Sequence, residues 1–86
     1  MKEVLAKVVE RIDKLVDKTG EEAKQLGGEI RSELEKLGKE LGTEEMREDI
    51  KTVISGVDKL VARTGGEARE IAENLKKTIK SFGEKL

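Results

Sequence analysis

Thr19-Gly20-Glu21-Glu22-Ala23 and Thr64-Gly65-Gly66-Glu67-Ala68 decide the fold of this chain, since each pentapeptide either turns the backbone or runs through the middle of a long helix. In both, a Thr is followed three residues later by a Glu, the spacing of a capping box in which hydroxyl and carboxylate each accept from the other residue's amide. The charges agree with a break. Lys14 and Lys18, or Arg63, precede the Gly, and Glu21 with Glu22, or Glu67, follow it, as two abutting helix dipoles favour. Gly65-Gly66 within an unbroken helix costs about 2 kcal/mol relative to two alanines. Against a break, the apolar stripe keeps its phase through both threonines at about 100° per residue. One helix of about 40 residues, about 60 Å long, explains that continuity directly. A tight hairpin preserves the phase as well, and its turn calls for a left-handed residue, which Gly supplies. The reading adopted is four helices, near residues 2–18, 21–41, 44–63 and 67–85, forming an all-α, antiparallel up-down-up-down four-helix bundle. The alternative is two helices of about 40 residues in a hairpin that dimerises.

The two pentapeptides lie 45 positions apart, and sliding the chain against itself by that offset makes thirteen of 41 aligned pairs identical. Ile12-Asp13-Lys14-Leu15-Val16 falls on Val57-Asp58-Lys59-Leu60-Val61, and Gly38 falls on Gly83. Residues 1–86 therefore read as a single helical domain of two tandem hairpin units, 1–41 and 46–86, joined by a linker at 42–45. Within Gly42-Thr43-Glu44-Glu45, Gly42 suits the C′ position of one helix and Thr43 the N-cap of the next. The apolar positions of the first unit are Leu5, Val8, Ile12, Leu15, Ala23, Leu26, Ile30, Leu34, Leu37 and Leu41, spaced by threes and fours as one helical face requires. The second unit repeats them as Ile50, Val53, Val57, Leu60, Ala68, Ile71, Leu75, Ile79, Phe82 and Leu86. Val4, Val9, Val16, Ile54, Val61 and Ala72 widen the stripe. Gly27 and Ala72, aligned and small, mark the close approach of a neighbouring helix.

Charged residues make up 43% of the chain, but the periodicity of the apolar ones separates it from a disordered polyampholyte. Eighteen basic and nineteen acidic residues are interspersed, so no basic stripe exists to neutralise a nucleic-acid backbone. The nearest approach to one, Lys76-Lys77 with Lys80, reads as compensation of a helix C-terminal dipole. Phe82 is the lone aromatic residue, which removes stacking platforms for single strands. No apolar run is long enough for a membrane span or a signal peptide, so a soluble, by default cytoplasmic, protein is expected.

The chain has no His and no Cys, the residue types most used for proton transfer, nucleophilic attack and transition-metal binding near neutral pH. Carboxylates one turn apart, Glu29 with Glu33 and Asp13 with Asp17, read as a solvated face, since no ligand-dense loop accompanies them. The glycines form no phosphate-cradling pattern. Asp13 and Lys14, identical in both units, point to a shared structural role. No catalytic, cofactor-binding or metal-ligating residue is assigned, and no cofactor is expected.

Residues 23–41 and 68–86 repeat their apolar positions with a period near eleven, and in that periodicity they resemble the amphipathic repeats of exchangeable apolipoproteins and late-embryogenesis-abundant proteins. That resemblance implies a lipid-surface role in which the bundle opens. Taken whole, the chain looks like a designed helical bundle, with no Pro, His, Cys, Trp or Tyr and a surface dominated by Glu and Lys, although nine glycines are many for a design. The function expected is that of a structural or self-assembling bundle without enzymatic activity. It needs no partner, or a second copy of itself in a homodimer. A lipid surface and a groove for a partner helix are the alternatives.

Overall fold

The structure, a computed structural model, describes residues 2–86. Four helices follow one another: α1 (Lys2–Leu15), α2 (Gly20–Glu40), α3 (Glu44–Val61) and α4 (Gly65–Lys85). The chain therefore forms the four-helix arrangement and not two continuous long helices. Its Cα extents, 35 × 20 × 20 Å, are those of a bundle one short helix long. Connections of three or four residues make sequential helices antiparallel neighbours, and α4 closes the ring against α1. Across the axis α1 and α3 approach each other, whereas α2 and α4 do not.

Both hairpins turn on a left-handed glycine, Gly20 at φ 59° and Gly65 at φ 63°, a region that costs a residue with a Cβ about 1–2 kcal/mol. Two details at these turns differ from the sequence-based expectation. Helix α1 ends at Leu15 and not near Lys18, because the amides of Asp17 and Lys18 bond three residues back, to Lys14 O at 3.2 Å and Leu15 O at 3.0 Å, and tighten the last turn. Ala62 and Arg63 end α3 the same way, bonding to Lys59 O and Leu60 O. The capping boxes do not form either. Thr19 and Thr64 hold extended N-cap conformations with no side-chain bond to the helix. The left-handed Gly directly after each threonine turns the following amides away from its hydroxyl. Thr43, followed by Glu44 and no such kink, accepts from the Met46 amide at 3.2 Å as an N-cap should.

The linker stops α2 by another route than a left-handed Gly42. Leu41 is extended, at φ −79° and ψ 137°, and stays buried, while its carbonyl accepts from the Arg47 guanidinium at 3.3 and 3.4 Å. A side chain of α3 thus supplies the donor that a C-terminal glycine turn otherwise brings.

The core is built from the predicted stripe, with Val8, Ile12, Ile30, Leu34, Val53 and Val57 wholly enclosed. The stripe is displaced in one place. Leu26 and Ile71 are half-buried, and the fully buried positions are their neighbours Gly27 and Ala72. Close contact between α2 and α3 explains this: a Cβ on Gly27 would overlap Cγ2 of Val61, so the smallest residue faces the partner and Leu26 lies beside the contact. Leu86, expected in the core, is 38% exposed.

Candidate functional site

No polar or charged residue is fully buried among the described residues, so the polar chemistry of the molecule lies at or near its surface. The carboxylates singled out from the sequence take separate roles there. Asp13 accepts from Lys76 Nζ at 2.7 Å, joining α1 to α4, and Asp58 pairs with Arg31 Nη1 at 3.1 Å, joining α3 to α2. Asp17 and Glu29 are exposed. Glu33 reaches Arg11 on α1 in a partly exposed ion pair, and its Oε2 is buried without a hydrogen bond. Within each one-turn pair only one carboxylate, Asp13 or Glu33, makes an ion pair among the described residues. No three His, Cys, Asp or Glu side chains among the described residues gather as metal ligands do.

Lys76 belongs to the middle of α4 and to the α1/α4 contact, not to a helix end; the last-turn cation is Lys85. Hydrogen bonds to Asp13, then Glu73, hold the Lys76 ammonium above the ordinary lysine range. Lys85 is raised likewise, first by its bond to Asp49 and then by Glu45 on α3. Both shifts favour charged groups that already tie helices together, the opposite of the depressed value that a basic catalyst requires.

Two grooves stand out, each between helices of different hairpins. The α2/α3 groove, of about 730 Å³, has Gly38, Ile50 and Ile54 on its floor and Lys39, Arg47 and Lys51 on its rim. The α1/α4 groove, of about 490 Å³, has Leu5, Val9, Ile79 and Gly83 on its floor, with Lys2 and Lys80 beside it. Shifted by 45 positions, Leu5, Val9, Gly83, Lys2 and Lys76 become Ile50, Ile54, Gly38, Arg47 and Arg31 of the first groove. The Asp13–Lys76 and Asp58–Arg31 pairs are related by the same shift. This is the structural role of the identical aspartates.

A third depression, between α3 and α4, exists because Gly56 stands where the other hairpin has Arg11. At Gly56 the Leu75 Cδ1 comes within 2.7 Å of where a Cβ would be, and a groove of about 450 Å³ lies open beside it. In the first hairpin the Arg11–Glu33 pair takes that space.

Sequence reasoning missed both grooves and the two ion pairs that cross between hairpins. One signal was legible: Arg31 and Lys76 are both basic at matched positions, as the aspartates are both acidic. Which helix they face depends on the rotation of α2 and α4, which the spacing leaves undetermined by about one residue. No described helix is long and apolar enough to cross a membrane. Comparison with family models, with characterised proteins and with solved structures finds no match for this chain.

Proposed function

We propose that this protein is a non-catalytic structural bundle, two copies of one helical hairpin unit closed upon each other as a monomer, of the kind made by design. The observation that carries the reading is the apolar core: no polar or charged residue is fully buried among the described residues, and Glu33 Oε2, the buried polar atom without a hydrogen bond, belongs to a partly exposed ion pair with Arg11. Catalytic acids, bases and nucleophiles depend on groups desolvated and tuned by neighbours. A closed monomer is supported by the surface, where Leu86 is the one exposed large hydrophobic residue among the described residues. Opening onto a lipid surface requires the apolar stripe to leave its present partners.

Light scattering coupled to small-angle X-ray scattering tests this. The expected result is a monomer whose radius of gyration is close to the 12.1 Å of the Cα trace. A particle of twice the mass and about 60 Å in length, the reach of an unbroken helix of about 40 residues, refutes it. Helicity or tryptic protection that changes on adding vesicles favours the lipid reading instead.

A further inference from the structure

The two inter-hairpin grooves share three features that helix packing leaves unexplained. The first is uncommitted positive charge. In the α2/α3 groove Arg31 is engaged by Asp58 and Glu35, Lys51 by Glu48, and Arg47 by the Leu41 carbonyl but by no carboxylate, while Lys39 makes no ion pair among the described residues. In the α1/α4 groove Lys76 is engaged by Asp13 and Glu73, while Lys2 and Lys80 make none. A chain of net charge −1 thus leaves Lys39 without an ion pair in one groove, beside the Arg47 guanidinium that caps Leu41, and Lys2 and Lys80 without one in the other, where Glu84 is the acidic neighbour, among the described residues.

The second is an apolar floor, supplied by the half-buried Ile54 and Val9 at matched positions. The third is glycine where the fold does not need it. Gly38 and Gly83 are helical and have no positive φ. A Cβ on Gly38 would lie 3.5 Å from Ile50 Cγ2, and one on Gly83 would lie 3.4 Å from Leu5 Cδ1, contacts that alanine makes with little or no displacement. Alanine is the better helix former at such positions, so glycine in both copies keeps the groove floor open at the expense of the helix.

An apolar trough of about 300–1,000 Å³ with a few convergent polar groups has the dimensions of a small-ligand site. We propose that each groove binds one free single-chain anionic amphiphile, a long-chain carboxylate being the simplest. Its tail lies on the apolar floor, and its headgroup pairs with Lys39 in one groove, where the Leu41-bound Arg47 adds positive charge, and with Lys2 and Lys80 in the other. The bundle stays closed, which distinguishes this binding from adsorption to a bilayer.

The test is titration of the ¹⁵N-labelled full chain with dodecanoate below its micelle-forming concentration, following the Gly38 and Gly83 amides. Both are expected to shift saturably, to two ligands per chain, with helix signals preserved. Dodecanol and dodecyltrimethylammonium are expected to bind at least tenfold more weakly. Lys39→Glu is expected to weaken the Gly38 response tenfold and spare that at Gly83, and Lys80→Glu to do the reverse, with circular dichroism unchanged in both. The proposal is overturned by unsaturable shifts, by equal binding of dodecanol, by charge reversals that leave both responses intact, or by loss of tertiary dispersion on binding. Binding to anionic phosphatidylglycerol vesicles without binding to monomeric dodecanoate overturns it as well.

Discussion

Replacing Gly65 and Gly66 one at a time by alanine separates two adjacent residues of the same type by the sign of their effect. At Gly65, φ is 63°, so an alanine there is strained by about 1–2 kcal/mol. The reduced freedom of its unfolded chain returns about 0.4–1 kcal/mol, leaving a net loss of about 1 kcal/mol. Gly66 has an ordinary backbone, and a Cβ on it meets nothing within 4 Å, so alanine there keeps the whole gain of about 0.4–1 kcal/mol. For a domain of this size each kcal/mol moves the melting temperature by about 4–8 °C. Thermal unfolding followed by circular dichroism at 222 nm should therefore show Gly65→Ala melting below the parent and Gly66→Ala above it. Both variants melting above the parent refutes the hairpin, because in a continuous helix each glycine is simply a poor helix former. Gly20→Ala, at φ 59°, should behave as Gly65→Ala does.

Further outcomes follow from the packing and the ion pairs. Gly27→Ala sets a Cβ against Cγ2 of Val61, a β-branched side chain with little rotamer freedom, and overpacking of this kind costs about 1–3 kcal/mol in urea unfolding. Adding Val61→Ala should restore part of that loss, and a purely additive double mutant would show that the contact is not the cause. Leu34→Ala, at a fully enclosed position, should cost about 2–5 kcal/mol by the same measurement, and a cost below 1 kcal/mol would refute its burial. Because the folded-state values of Lys76 and Lys85 are raised, their contribution to stability is complete below the ordinary lysine value of 10.5 and is lost as pH rises through the raised folded values. Urea midpoints measured from neutral to strongly alkaline pH should fall at the upper end, less steeply in Lys76→Met with Lys85→Met. A parent midpoint that stays flat or rises there contradicts the ion pairs.

The elements were legible because alternating spacings of three and four are a strong signal, and two Thr-Gly sites 45 residues apart reinforced each other. What was not legible depends on three-dimensional placement finer than a helix face. Leu26 and Gly27 are adjacent, and only the approach of α3 decides which of them points inward. The capping boxes failed for a related reason: the glycine that makes the turn is the residue that misaligns the cap. Gly42 looked like a helix terminator, but Arg47 reached back to Leu41 and supplied the donor instead. The grooves are harder still to foresee, since they arise where chain segments distant in sequence meet, and their free cations are defined by which neighbours found carboxylates.

The ion pairs between hairpins bear on how the chain finds its fold. Asp13 meets Lys76 and Asp58 meets Arg31, and the acids and bases of the two contacts are interchangeable in kind. The contacts by which one hairpin recognises the other are therefore offered equally by a neighbouring chain. What favours closure within one molecule is the tether at Gly42-Thr43, which holds the second hairpin at an effective concentration of order millimolar. Refolding in dilute solution is expected to give the closed monomer, which size-exclusion chromatography with light scattering checks. As protein concentration approaches that value, hairpin exchange between chains is expected, giving dimers in which each local contact is native.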